Sequence, residues 1–303
     1  MVFLLLAATI FGADGPASRY GMKAMASYKA GEPSRPTVCL VHGMNSSTAG
    51  FVHVISALEA AGFGVVSYDY PYNRDLDRIA PGFGRDWKAF RATQKETRPW
   101  AILSHSMGAL LAREYVEGGD YGGDVSDLLL IAPPNRGSAI AQAQTLMQLV
   151  QFSKASEGQG ALAAMGEDLG AAAKDLEPGS AFLKRLNARP RRRGVRYHIL
   201  AGDVGFLNAE ARARIDARLR LIGRAGLLGG AATAALGDVP ARLDALTDGR
   251  GDGCVGLGST ELEGVEDREV IHANHVELIR GPMLYPDPGP VACMPFVLKR
   301  LAK

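Results

Sequence analysis

Short runs rich in Val, Ile and Leu recur at residues 37–41, 64–68, 100–104, 125–132, 195–201 and 268–271, and no other feature restricts the possible folds as much. Each run is too short for a helix and too continuously apolar for a strand with one wet face. Each therefore reads as a strand buried on both faces. Between the early runs lie segments with apolar residues three and four apart, such as Phe51, Val54, Ile55 and Leu58 within 50–61, and Leu110, Leu111 and Tyr115 within 107–117. That spacing is helical. Parallel strands need such crossovers, so the expected class is α/β, with a mostly parallel central sheet covered by helices.

Two segments break the alternation. Residues 138–193 read as helices carrying Leu146, Met147, Leu149, Val150 and Phe152, followed by a turn at Pro178 and Gly179. Residues 204–246 hold an arginine-rich amphipathic part (Arg212, Arg214, Arg218, Arg220, Arg224) that runs into the uncharged tract 225–237. Neither extends the sheet, so the 303 residues read as one domain over 15–303 with two insertions rather than as two domains. Residues 1–14 stand apart. The apolar stretch 2–11, ending at Gly12-Ala13-Asp14, reads as the hydrophobic part of an export signal or as an apolar first strand, and is too short to span a bilayer. The first reading places the protein in the periplasm, outside the cell or at a membrane; the second leaves it in the cytoplasm.

Lys and Arg number 34 against 32 Asp and Glu, a net charge of +2, which gives no electrostatic reason to expect nucleic acid as a partner. Cys39, Cys254 and Cys293 lack the C-x-x-C spacing of a zinc or dithiol site, and read as buried thiols; a Cys254 to Cys293 bridge has no support beyond the count.

The chemistry concentrates where the third apolar run ends. Ser104-His105-Ser106-Met107-Gly108 matches the nucleophile elbow G-x-S-x-G with Ser104 at the first glycine position. A strained strand-to-helix turn needs small residues two before and two after its serine, and Ser104 and Gly108 supply them. Upstream, the run 38–41 leads directly into His42-Gly43-Met44-Asn45, where a backbone N–H can face a reacting carbonyl.

Together these segments resemble the lipases and esterases of the α/β-hydrolase fold, near the bacterial lipases and the inositol-deacylase-like group. The resemblance implies Ser106 as nucleophile and the backbone N–H groups of Met44 and Met107 as an oxyanion hole. It places His42, Gly43, Asn45 and His105 beside the substrate and makes the insertions at about 138–193 and 204–246 lids. A serine hydroxyl needs a base and an orienting carboxylate. His272 and His275 both stand near the final strand, and Asn274-His275-Val276-Glu277-Leu278 resembles the family's histidine segment, which favours His275. Gly251-Asp252-Gly253-Cys254-Val255 resembles the family's acid segment and preserves the order Ser, Asp, His; Asp203 and Asp248 are its rivals. The implied substrate is an acyl ester, lipid-like in character. An acyltransferase or thioesterase would form the same acyl-enzyme, and a noncatalytic binding protein on this scaffold is the alternative of another class.

Neither Gly62-Phe63-Gly64 nor Gly256-Leu257-Gly258 completes a G-x-G-x-x-G fingerprint, and no H-E-x-x-H pattern occurs, so no cofactor and no catalytic metal are expected. Arg189, Arg191, Arg192, Arg193 and Arg196 form a basic cluster close to a lid. With the uncharged tract at 225–237, it motivates transient contact with a membrane surface.

Overall fold

In β2 (Thr37–Val41) every residue is buried, and Val38 and Leu40 face one side of the sheet while Cys39 and Val41 face the other. This period-two division explains why the run is apolar without alternation. A computed structural model describes residues 20–32, 36–138, 171–224, 239–280 and 291–302. Around β2, a single sheet is built from β1 (Gly21–Ala24), β3 (Gly64–Asp69), β4 (Trp100–His105), β5 (Val125–Ile131), β6 (Arg196–Gly202) and β7 (Arg268–Ile271), in the order β1-β3-β2-β4-β5-β6-β7. All neighbours pair parallel except β1, which runs antiparallel to β3 with Gly21 opposite Asp69. The six expected strands are present, with ends shifted by one residue at most. β1 was not expected, because its four residues, Gly-Met-Lys-Ala, carry no apolar run and cover only an edge.

Helices cover both faces. On one lie α2 (Leu76–Thr93), α3 (Met107–Val116) and α4 (Ala181–Asn187); on the other lie α1 (Val52–Ala60) and, near the carboxy end, α7 (Met294–Leu301). The helix expected over 50–61 is a short 3-10 turn at Thr48–Phe51 that passes into α1. Sequence reading assigns no helix to α2, whose Pro81, Gly82 and Gly84 hide its pattern. Its Leu76, Ile79, Ala80, Phe83 and Trp87 nevertheless fall at helical spacing and are all buried.

Of the two insertions, 171–193 contributes a turn of helix at Ala172–Asp175 and α4, whose Phe182, Leu183 and Leu186 pack into the same core as α3. The second contributes α5 (Ala209–Arg224) and α6 (Val239–Leu246), joined by Arg212, which pairs with Asp216 on its own helix at 3.0 Å and with Asp244 on α6. The stretches 1–14, 139–170 and 225–237, on which the export and lid expectations rest, lie outside the described residues. Among the described residues no helix is long and apolar enough to cross a membrane.

Four of the five clustered arginines are used internally. Arg189 pairs with Glu114 at 2.6 Å, Arg191 with Glu117 at 3.2 Å and Arg196 with Asp127 at 2.7 Å, while Arg192 donates to the Val116 carbonyl at 2.8 Å. Cations at the carboxy end of α3 complement its dipole and its unpaired carbonyls.

At the starting end of the strands a second polar network joins β5, β6 and α7. Asp127 accepts two hydrogen bonds from Arg196, at 2.7 and 2.8 Å, and lies 3.1 Å from His198 Nε2; His198 Nδ1 lies 2.6 Å from Asp267, which accepts from Arg300 Nε at 2.9 Å. Burial raises the Asp127 pKa, but the hydrogen bonds from His198 and Arg196 outweigh it and hold the carboxyl at about 2. A depressed carboxyl pKa contributes stability that is complete above the unfolded value and is lost as pH falls through the folded one. Asp127→Asn should therefore lower stability by about 2 kcal/mol at neutral pH, the linkage value of a carboxyl held at about 2 when folded. The difference from the parent should shrink between about pH 4 and about pH 2, measured by urea unfolding across that range; a constant difference would contradict the ion-pair account.

Candidate active site

Ser106 sits between β4 and α3 with φ 53° and ψ −127°. A non-glycine residue in this region costs about 1–3 kcal/mol, and the flanking packing maintains it. β4 is buried throughout, and α3 buries Leu110, Leu111 and Tyr115. The Ser106 N–H donates to the Ile131 carbonyl at 2.9 Å, which fixes the turn to β5. Ser104, standing where the elbow pattern has glycine, is fully buried and its Oγ donates to the Leu129 carbonyl at 3.2 Å.

Two glycines allow the loop after β2 to touch this turn. A Cβ on Gly108 would lie 2.3 Å from the His42 carbonyl oxygen and 2.5 Å from that of Val41, and one on Gly43 would lie 2.9 Å from Ser106 Cβ. Asn45 takes the loop onward at φ 49°, a left-handed conformation that asparagine tolerates. The N–H groups of Met44 and Met107 donate to no acceptor among the described residues.

The loop is held from beneath by residues that sequence reading did not single out for this task. His42 is 1% exposed and stacks on Tyr70 with ring centroids 4.2 Å apart. Its Nδ1–H donates to the Gly43 carbonyl at 2.8 Å, its Nε2 accepts the Tyr70 N–H at 3.3 Å, and the Tyr70 hydroxyl donates to the His42 carbonyl. Desolvation lowers the His42 pKa, so the ring is a neutral strut. Asp69 completes the support by accepting from the Thr48 N–H at 2.6 Å and the Thr48 hydroxyl at 2.8 Å. His42, expected beside the substrate, thus supports the loop from inside the core.

At the ends of β6 and β7 the chain brings Asp252 and His275 together. His275 Nδ1 lies 2.8 Å from Asp252 Oδ2, and the His275 N–H donates to the Asp252 carbonyl at 2.9 Å. The other carboxylate oxygen accepts the N–H groups of Cys254 at 3.0 Å and Val255 at 2.8 Å. Gly202 permits this packing, since a Cβ there would meet the Ala273 carbonyl at 2.3 Å and Asp252 Cβ at 3.1 Å.

His105 connects the two halves of the site. Its Nε2–H donates to the His275 carbonyl at 3.0 Å, and the two rings lie 4.5 Å apart. Ser106 and His275 are therefore at the same end of the sheet, although no hydrogen bond joins the Ser106 hydroxyl to the imidazole in this structure. Burial, and secondarily the charge on His275, lower the His105 pKa well below the usual histidine value. Like His42, His105 is buried, so it acts as a spacer behind His275 rather than as an exposed contact.

The rival residues pair with each other. His272 Nδ1 lies 2.9 Å from Asp203, with the His272 side chain 77% exposed, and Asp248 is exposed. Among the described residues, one cluster has metal-ligand chemistry: Asp252, Cys254 and His275, with donor atoms within 4.8 Å of one another. Its carboxylate and imidazole are already joined by a hydrogen bond. Desolvation, with the Asp252 charge adding to it, raises the Cys254 pKa and keeps it a thiol. All three cysteines are free and buried, so no Cys254 to Cys293 bridge forms.

This arrangement of elbow, loop and histidine on a mostly parallel sheet agrees with a profile of the alpha/beta hydrolase family, which matches residues 40–287. The chain belongs to that family. No curated protein matches it in sequence. Among solved structures, it is similar to a Bacillus licheniformis lipase in mature form, with a TM-score of 0.58 at 17% identity over 91% of this chain and 97% of that one. The propeptide form of that lipase gives 0.56 at 18% identity over 91% and 53%. A Bacillus subtilis carboxylesterase gives 0.45 at 13% identity over 99% and 94%. At these identities the likeness is one of fold.

Gly108→Ala drives a methyl into two backbone carbonyls that cannot rotate away, so it should destabilise the protein by about 3 kcal/mol, at the upper end of overpacking costs. Gly258→Ala, where a Cβ meets nothing within 4 Å, is the control. Equal unfolding midpoints for the two would show that the loop and elbow do not touch as described.

Proposed function

We propose that the protein is a serine carboxylester hydrolase that cleaves acyl esters, lipid-like in character, through an acyl-enzyme on Ser106. The observation that carries this reading is the His275 to Asp252 hydrogen bond at 2.8 Å. It occupies Nδ1 and leaves Nε2 as the basic nitrogen at the end of the sheet where the strained elbow presents Ser106. The lipase and esterase character of the structural neighbours agrees with it.

In the acylation step the Ser106 hydroxyl adds to the ester carbonyl carbon while its proton passes to His275 Nε2. The carbonyl oxygen becomes an oxyanion within reach of the Met44 and Met107 N–H groups, which need no reorientation to receive it. As the intermediate collapses, the bond to the leaving oxygen breaks and that oxygen takes the proton from His275. Water then adds to the acyl carbon with His275 as base, releasing the acid and restoring Ser106. Asp252 holds the imidazole in the Nδ1–H tautomer and stabilises its protonated form. Tightening of the serine to imidazole contact on substrate binding is normal for such sites.

Ser106→Ala should retain the fold, lose labelling by a fluorophosphonate probe and lose roughly 10⁴-fold or more in kcat on p-nitrophenyl esters. Full turnover by this variant would remove the assignment. A panel of increasing acyl length separates a lipase from a short-chain esterase.

The pH profile gives an independent check. A protonated imidazole cannot accept the serine proton, so kcat/KM should fall as pH drops from about 8 to about 5, the span in which histidine changes charge. Burial holds the His105 pKa well below the usual histidine value, so the acid limb should survive in a His105→Asn variant. A profile flat over the whole range would exclude His275 as the base.

A further inference from the structure

Arg280 ends the turn of helix Glu277–Arg280 that follows His275, and this turn packs against the 3-10 turn Thr48–Phe51 that continues the loop after β2. The other buried or half-buried arginines with described side chains have acceptors: Arg91, Arg113, Arg212 and Arg300, for example, are each paired with a carboxylate. Arg280, also half-buried, has no acceptor among the described residues. Desolvation is the one influence on its pKa, which it lowers, and no carboxylate acts on it. A guanidinium does not discharge near neutral pH, so a half-buried positive charge stands without a counter-ion among the described residues. Such a charge is costly unless a partner completes it.

The geometry indicates where the partner belongs. A Cβ on Gly50 would lie 3.3 Å from Arg280 Nη2, 3.8 Å from its Nε and 2.4 Å from Ser46 Oγ. Nε and Nη2 form the edge of a guanidinium that grips an oxygen anion with two parallel hydrogen bonds. Gly50 puts no side chain against that edge, and the Ser46 hydroxyl lies beside it. Ser46 is two residues beyond Met44, and Arg280 is five beyond His275. The Arg280 charge also acts on His105, which is in contact with the His275 ring. The uncompensated cation therefore lies along the flank of the candidate active site.

We propose that Arg280, with Ser46 beside it, is a binding site for an anionic oxygen group, a carboxylate or a phosphate, carried by the ester substrate. The substrate half of this inference rests on the ester hydrolase reading; the anion site itself does not. The substrates it favours are esters with an acidic group near the scissile bond, on either the acyl or the alcohol side.

Two matched pairs separate the sources of the charge. Mono-p-nitrophenyl glutarate against p-nitrophenyl valerate places a carboxylate on the acyl side, and a 1-acylglycerol 3-phosphate against the corresponding monoacylglycerol places a phosphate on the alcohol side. The ratio of kcat/KM for the charged over the neutral ester should fall about tenfold in Arg280→Gln in at least one pair, the scale of a lost charge-assisted hydrogen bond. Most of the fall should lie in KM, and Arg280→Lys should retain part of the ratio. A ratio unchanged within about twofold in both pairs would overturn the substrate assignment. Calorimetric titration with inorganic phosphate tests the site without catalysis. Binding by the wild-type protein, weakened about tenfold in Arg280→Gln, supports it, while equal affinity or no binding to either removes it. Arg280-dependent phosphate binding in a protein that turns over no ester and takes no fluorophosphonate label would retain the anion site and discard the hydrolase reading.

Discussion

The arrangement depends on one close approach: the first turn of α3 lies against the carbonyls of Val41 and His42, and only a residue without a side chain fits between them. The hypothetical Cβ distances at Gly108, 2.3 and 2.5 Å, leave no room for accommodation by backbone. This approach brings the loop after β2 and the elbow after β4 into contact. The positive φ of Ser106 follows from the same constraint, because the chain must reverse from strand to helix while Gly108 stays pressed against β2. Strain at one residue is sustained by two fully buried strands and a helix whose apolar positions are all covered.

The second half of the site depends on the sheet in a different way. Asp252 and His275 both come from loops, and their mutual position is set by hydrogen bonds between those loops and by the bare backbone at Gly202 on the end of β6. His105 then ties that assembly to the elbow through the His275 carbonyl. A buried neutral ring suits this task, since it holds a carbonyl without adding a second titrating group to the site. Polar reinforcement of the scaffold is placed at the opposite end of the strands, where Asp127, His198, Asp267 and Arg300 lie.

Much of this was legible in the sequence because the decisive residues are local in chain order. The strands announce themselves as apolar runs, since a parallel strand must satisfy two cores at once, and Ser106 with Gly108 falls in a five-residue pattern whose physics is that of one turn. Asp252 and His275 were reachable through chain order and family resemblance, and the rivals Asp203 and His272 prove to be occupied with each other. What was not legible is contact across the chain. Nothing in the sequence connects His42 with Tyr70, 28 residues away, although that stacking turns an apparent substrate contact into a strut. β1 was invisible because an edge strand needs no apolar run. The helical period of α2 was obscured by a proline and two glycines that its first turns accommodate. The pairing of the arginine cluster was hidden for a related reason: composition counts charges, whereas Glu114, Glu117 and Asp127, which neutralise three of them, lie on other elements.

Arginine pairing also shows how economically the chain treats buried charge. The Arg113 and Glu117 side chains are both fully buried and pair one helical turn apart, with Asn135 and Asn187 accepting the two Nη1 hydrogens at 2.9 and 3.0 Å. A fold that satisfies a deeply buried guanidinium so completely has side chains available to do the same for a shallower one. That Arg280 has no partner among the described residues and lies beside a glycine, on the flank of the candidate site rather than in the scaffold, is therefore a local exception to the chain's own practice. The cost of leaving a cation half-buried is borne by the protein alone until an anion arrives, and is recovered when one does. On the proposed reading the unbalanced charge serves recognition rather than stability, at the end of the sheet where Ser106 and His275 lie.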